Sequence, residues 1–199
     1  MEKISLIGVC GGSASGKSTL AARLRESLGP ANCSLISLDN YYRDFVKLGR
    51  DPSRVNYDHP DSFDIKRLSH DLKRLLGGHP TEIPVYDFKT HTRSNRQVII
   101  HVSPYVIVEG LFLFNLNKLE ITFDHKIYVN TPARIRLIRR IRRDSRERGR
   151  SIASIFWQYV RFVSPMHKLY VLPNRELADH IVDGTSPYDS ALQGMNIRH

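Results

Sequence analysis

The sequence predicts an α/β fold in which a parallel sheet is flanked by helices, interrupted by a β-hairpin and closed by a basic helical segment. Two observations predict it. Short, almost continuously apolar runs alternate with stretches of helical period, and a glycine-rich loop joins the first such run to the first helix. Residues 4–9 are nearly continuously apolar, as a parallel strand buried on both faces must be. Leu20, Leu24 and Leu28 then mark one helical face, and residues 35–38 begin a second strand. A helix follows at residues 65–76, further strands at 106–108, 127–129 and 180–182, and further helices at 132–148 and 152–163. Between them Ile83, Val85, Tyr86 and Phe88 face an alternating Val98, Ile100, Val102 across a polar turn near Ser94–Asn95, a β-hairpin with Pro84 on an edge. Residues 1–199 read as one domain, with the hairpin inserted at about 81–103 and a lid region at about 140–165.

Composition bounds the function classes. With 199 residues, 41% of them hydrophobic and 25% charged, the chain can bury a core without staples. A net charge of +10 favours acidic partners, yet does not separate long nucleic acids from small phosphorylated metabolites. Cys10 and Cys33 form no disulfide framework and the nine histidines have no metal-binding spacing, which fits a reduced, cytoplasmic setting. No apolar stretch approaches the roughly eighteen residues of a membrane span.

The loop itself reads GGSASGKST, from Gly11 and Gly12 through Ser13, Ala14, Ser15 and Gly16 to Lys17, Ser18 and Thr19. It satisfies GxxxxGK[ST] between a strand and a helix, the P-loop NTPase arrangement. Glycines let the backbone wrap phosphate oxygens, the helix aims its amides at them, Lys17 reaches the β and γ groups, and Ser18 can hold Mg2+. A guanine-reading NKxD has only a near miss in Asn117–Lys118–Leu119–Glu120, and a nucleic-acid motor needs more chain. A small kinase needs only an acceptor pocket and a lid, so ATP-dependent phosphoryl transfer leads.

In open α/β sheets, ligands sit beyond the carboxyl ends of the strands. Asp39 ends the second strand and Glu109 a later one, in VIVEG. A carboxylate there can take a hydroxyl proton or hold magnesium. Asp39 is assigned as base and Glu109 to the metal, with a shared metal role for Asp39 left open, as is the alternative that either acid caps a helix.

Taken in order, GVCGGSASGKST, ISLDNYYRD, NYDHPDSFD, IPVYDFKTHTR, VIVEG, RRDSRERGRS and QYVRFVSPMH resemble the uridine/cytidine kinases, P-loop kinases related to phosphoribulokinase and pantothenate kinase. The likeness implies transfer of the γ-phosphate of ATP to the 5′-hydroxyl of uridine or cytidine, with Asp39 as the base. It implies that Asp58 holds the ribose hydroxyls, that Tyr86 and His91 read the base, and that Tyr42 and Tyr57 line its pocket. It further implies that Arg140, Arg150 and Gln158 approach the nucleoside while Arg143 and Arg148 close on the triphosphate. Feedback binding of CTP or UTP and a homo-oligomer, a tetramer in the family, are implied as well; the tail after Asp183 departs from the family pattern, and so do Asn130, Pro132 and Arg134.

Nine arginines fall within the seventeen residues 134–150. Ile135, Ile138 and Ile141 recur every three residues and predict a narrow buried stripe, with the arginines outside the named set solvated. The triphosphate is therefore their leading partner. An RNA-binding ATPase is the second hypothesis, without an RNP-like sheet signature, a GXXG clamp or a basic tail to support it, so no nucleic-acid or membrane partner is expected.

Overall fold

Strand β1 (Ser5–Gly11) is buried at every position and occupies the middle of a five-stranded parallel sheet. Its neighbours are β5 (Tyr105–Gly110) and β6 (His125–Asn130); β2 (Cys33–Ser37) lies outside β5 and β7 (His180–Asp183) outside β6. The computed structural model describes residues 3–116, 119–195 and 197, so Asn117 and Lys118 of the near-miss guanine motif lie outside the described residues. Helix α1 (Lys17–Leu28) packs Leu20, Ala21 and Leu24 on one sheet face with Ile7, Val9, Ile107 and Ile127. On the other face α2 (Ile65–Leu76) buries Leu68, Leu72 and Leu75 with Leu6, Val106 and Val108. Both faces being covered explains why these strands read as unbroken apolar runs. Asp64 caps α2 through the amide of Arg67.

The hairpin is present as β3 (Thr81–Asp87) and β4 (Thr92–Ile100), a separate antiparallel pair with a register shift between Pro84 and Tyr86. Its turn spans residues 88–91 rather than Ser94–Asn95, which lie within β4. The turn is built by the Asp87 carboxylate accepting the Lys89 amide and by His91 at φ +57°, a left-handed conformation that few non-glycine residues take. Buried Asp71 ties the hairpin base to the sheet edge by accepting from Tyr41, Thr81 and Arg67.

Helix α3 (Ala133–Glu147) corrects the expectation for the arginine run. Its buried positions are Arg136, Arg140 and Asp144, while Ile138 is 50% exposed. The buried face is polar because it lies against the Thr131 carbonyl after β6, which accepts from Arg136, and the Ser13 hydroxyl of the loop after β1, which accepts from Arg140, partners that a hydrocarbon core would not offer. Beyond Gly149, α4 (Ile152–Gln158) continues through π turns at Tyr159–Val163 and His167–Val171 around the short α5 (Ser164–Met166). Pro165 has no amide to give to the ladder and sits between the two π turns. Asn174 then fixes the end of this helical run, bonding the Phe114 amide, Asn115 and two backbone carbonyls. Helix α6 (Asp189–Gly194) carries the chain back beside α1. Cys10 and Cys33 are free and buried, and burial pushes the Cys10 thiol up to about 12. Among the described residues no helix is long and apolar enough to cross a membrane.

Candidate active site

The register of the sheet sets the site. Ser37 on β2 stands opposite Glu109 on β5, which stands opposite Val9 on β1, two residues before the glycine-rich loop opens. Lys17, at the first turn of α1, and Glu109 are both buried, with Nζ 3.8 Å from Oε2. Glu109 Oε1 accepts a 2.5 Å hydrogen bond from the Ser37 hydroxyl, whereas Oε2 is buried without one. Burial raises the Glu109 carboxyl above its ordinary value; Lys17 opposes this and nearby Asp39 adds to it. A cation beside Oε2 would relieve both penalties, and Ser18 lies close enough to lower the same carboxyl. Among the described residues no group of three His, Cys, Asp or Glu makes a metal cage of its own. Magnesium seldom needs one, since one or two carboxylates plus substrate phosphates suffice.

The loop is braced from behind. Gly16 caps α1 at φ +100°, where a side chain would also run into the Tyr188 hydroxyl. Tyr188 donates to the Gly16 carbonyl at 3.2 Å, Thr131 to the Ser15 carbonyl at 2.8 Å, and Arg139 to the carbonyls of Ser15 and Gly184 at 3.3 and 2.9 Å. A Cβ on Gly12 would meet Arg136 Nη1 at 2.6 Å. Gly11, Gly12 and Ser15 are buried framework, while Ala14, Gly16, Lys17, Ser18 and Thr19 line an open groove with Arg139, Arg143 and residues 184–188. Arg136 and Arg139 are thus not solvated as expected: Arg139 bonds the loop, and Arg136 packs against it at Gly12.

On the other side of Lys17 lies a narrow cavity of about 60 Å³. All nine side chains expected to bind the acceptor line it: Asp39, Tyr42, Tyr57, Asp58, Tyr86, His91, Arg140, Arg150 and Gln158. Asp39 sits in a single turn of 3-10 helix, Leu38–Tyr41, whose amide end is capped by Ser37, so Asp39 itself caps nothing. Tyr42 stacks on Phe63 at 4.2 Å, and Tyr57 stacks on His91 at 5.0 Å. Arg93 locks the hairpin to this wall, donating to the carbonyls of Tyr42 and Tyr41 and pairing with Asp64. The Tyr57 and Tyr86 hydroxyls influence each other's titration without a well-formed hydrogen bond, and His91 Nδ1 is likewise buried and unbonded. Three unsatisfied polar atoms among aromatic faces suit a flat ligand that has donors and acceptors on its edge. Asp58 is buried, and burial raises its carboxyl; Arg140 works against that rise and Asp39 with it.

The basic segment closes over this cavity. Arg140 donates to Ser13 at 2.7 Å and to Gln158 at 2.9 Å, and Arg150 reaches the same Gln158 oxygen at 2.6 Å. Arg148 lies 4.1 Å over the Phe88 ring and borders the cavity alone, whereas Arg143 borders the cavity and the groove. Lys17 also borders both. The two hollows therefore meet at Lys17 and Arg143, with Asp39 on the cavity side. A larger hollow of about 720 Å³ between α1 and the C-terminal residues brings together none of the expected residues.

The sequence pattern of the Phosphoribulokinase / Uridine kinase family matches residues 6–190. The chain belongs to the phosphoribulokinase/uridine kinase family. Within that family, a uridine kinase of Staphylococcus epidermidis (strain ATCC 35984) is 40% identical over 183 residues, covering 92% of this chain and 88% of that protein. A uridine kinase of Clostridium novyi (strain NT) is 42% identical with the same coverage. The solved structure of a possible uridine kinase from Bacillus stearothermophilus superposes with a TM-score of 0.65 at 21% identity, over 92% of this chain and 90% of that one. Phosphoribulokinase from Rhodobacter spheroides gives 0.64 at 16% identity, over 95% and 75%, a likeness of fold alone. Membership in this kinase family implies ATP as phosphate donor, typically with Mg2+.

Several side chains of the kinase site are absent from the sequence-based set. Phe88 and Leu111 line the cavity, and Arg139 and Tyr188 brace the loop. Phe88 carried a readable signal, an aromatic two residues from Tyr86 in the hairpin. Tyr188 carried none, because nothing in the residues around it marks a lone tyrosine as a brace for a loop 172 positions earlier.

Proposed function

We propose that this nucleoside kinase transfers the γ-phosphate of ATP to the 5′-hydroxyl of uridine or cytidine, giving UMP or CMP. The observation that carries the reading is the meeting of the aromatic, carboxylate-bearing cavity with the P-loop groove at Lys17 and Arg143. The triphosphate lies in the groove, along the loop amides, with its terminal phosphoryl beside Lys17. The Asp58 carboxylate accepts from both ribose hydroxyls, and the ring rests against Tyr42, Tyr57 and Tyr86. His91 presents Nδ1 to the edge of the base and can serve the uracil carbonyl or the cytosine amine according to its tautomer. Asp39 then takes the 5′ proton as the oxygen attacks the γ-phosphorus, the bond from that phosphorus to the bridging oxygen breaks to release ADP, and the guanidinium groups of Arg143 and Arg148 take up charge on the moving phosphoryl. Glu109 and Ser18, with Asp39 near, would hold Mg2+, which neutralises phosphate charge. The cavity as it stands is too narrow for a nucleoside, so entry requires the segment carrying Arg148 and Arg150 to swing outward. Gly149, at φ +63° with open space around it, is the hinge.

A panel of acceptors with ATP and Mg2+ tests this: uridine, cytidine, deoxycytidine, adenosine, ribulose 5-phosphate and pantothenate. Turnover on uridine and cytidine, strongly reduced on deoxycytidine through the lost ribose hydroxyl, is expected. Preference for ribulose 5-phosphate or pantothenate would place the protein in another branch of the family.

Binding also has a pH signature. Because burial raises Asp58 above its ordinary 3.8, the carboxylate that accepts the ribose diol is lost at a higher pH than for an exposed aspartate. Burial, with Arg150 and Arg148, lowers His91 below its ordinary 6.5, so the imidazole stays neutral through the neutral range. Calorimetric uridine affinity should therefore be level around neutrality and fall on the acid side above 3.8, and Asp58→Asn should bind weakly with that acid limb gone. A limb centred near an ordinary histidine value would contradict the assignment.

A further inference from the structure

Asp144 is wholly buried in α3 and belongs to neither hollow. A carboxylate in that position is costly unless cations face it. Three do: Arg143 Nε lies 2.9 Å from Oδ1, Arg148 Nη1 3.6 Å from the same oxygen, and Arg140 Nε 3.4 Å from Oδ2. The Asp144 carbonyl accepts the amides of both Arg148 and Arg150 at 3.2 Å. Every arginine that lines the acceptor cavity, Arg140, Arg143, Arg148 and Arg150, thus touches this one residue by side chain or backbone.

We propose that Asp144 is the positioning residue of the kinase lid, holding the cavity arginines in one constellation so that nucleoside and triphosphate meet them in register. The proposal rests on the reading of the site as a nucleoside kinase. The contacts are made from the side that substrate does not use. Arg143 spends its Nε on Asp144 and keeps its terminal nitrogens for phosphate oxygens, while Arg140 reaches Ser13 and Gln158 with both of its own. Four guanidinium groups around one cavity repel one another, and one carboxylate behind them offsets part of that repulsion while leaving the front strongly cationic. Arg148 shows the strain, since burial first and Arg143 second lower its affinity for a proton, with Asp144 opposing both. The Arg140 arm is slack: Nε and Oδ2 face each other at 3.4 Å, yet neither has a hydrogen bond. Docking of a nucleoside on Arg140 can therefore draw on the same carboxylate that steadies Arg143 and Arg148.

The test is a mutant cycle on uridine phosphorylation. Asp144→Asn keeps the shape and removes the charge, and kcat/KM should fall on the order of 10²-fold, the scale expected when catalytic groups are misplaced. In an Arg143→Ala/Arg148→Ala background the same change should cost less than about threefold, because both guanidinium groups held on Oδ1, the ones that meet the triphosphate, are gone and only the slack Arg140 arm is left. Asp144→Glu, which keeps the charge, should recover at least about tenfold over Asp144→Asn. Equal losses in both backgrounds, or a folded Asp144→Asn with normal kcat/KM, overturn the proposal. If Asp144→Asn does not fold, the cycle between Asp144→Glu and Arg148→Ala decides in the same way, coupled losses supporting it and multiplicative losses rejecting it. A wild-type protein inert towards uridine and cytidine would instead refute the functional reading.

Discussion

Asp39→Asn lowers kcat for uridine phosphorylation by about 10²–10⁴-fold, the range spanned by a general base, while ATP affinity stays close to that of the unmodified protein. The substitution is nearly isosteric and breaks no ion pair, because Asp39 is held by its backbone: the Ser37 hydroxyl accepts its amide and the turn Leu38–Tyr41 aims the side chain at the cavity. Only the proton acceptor is lost. A second effect accompanies it. Asp39 contributes to the raised carboxyls of Glu109 and Asp58, so in the variant both titrate closer to their ordinary values. The acid limb of uridine binding should then move to lower pH even as turnover collapses. Rapid-quench turnover and calorimetric titration of ATP separate the two effects, and near-normal turnover would remove Asp39 from the chemistry.

Lys17→Ala acts on the other substrate and does more than delete one phosphate contact. Removing a donor aimed at developing charge costs about 10²–10³-fold in kcat. Beyond that, Lys17 is the main cation opposing the burial of Glu109 at 3.8 Å. Without it the Glu109 carboxyl rises further, the protonated fraction at neutral pH grows, and the magnesium position weakens with it. The sign follows from linkage: an acid whose folded value lies above its unfolded one stabilises the fold most at low pH and loses that contribution as pH rises through the folded value. The variant should therefore need more Mg2+ for half-maximal rate, and its melting temperature should drop more steeply from pH 5 to 8 than that of the unmodified protein. An unchanged Mg2+ requirement would show that Lys17 and Glu109 are not coupled.

How much of this was legible depends on what each residue has to do. The strands, the loop and the two acids at the sheet edge were readable because burial on both faces and phosphate wrapping each demand a narrow set of residue types. The arginine helix was misread because periodicity assumes that a buried face is apolar. Here Arg136, Arg140 and Asp144 are buried at every fourth position against the Thr131 carbonyl, the Ser13 hydroxyl and one another's charges, and Ile138 is left outside. The hairpin turn was displaced for a related reason. Ser94 and Asn95 look like turn residues, but on an edge strand exposed to water polar side chains cost nothing, and the real turn depends on Asp87 and on the left-handed His91. The importance of Asp144 is geometric and invisible in sequence: nothing in its neighbourhood of arginines says which of them it will gather.

In the proposed reaction the 5′-oxygen of a nucleoside, Asp39 and the terminal phosphorus of ATP come into line between the cavity and the groove. A crystal structure with uridine and a non-hydrolysable ATP analogue tests it most directly. The 5′-oxygen is expected within about 2.6–3.2 Å of an Asp39 carboxylate oxygen and facing the γ-phosphorus, with the ribose diol on Asp58. Uridine bound elsewhere, or bound in the cavity with its 5′-oxygen turned away from Asp39, would contradict it.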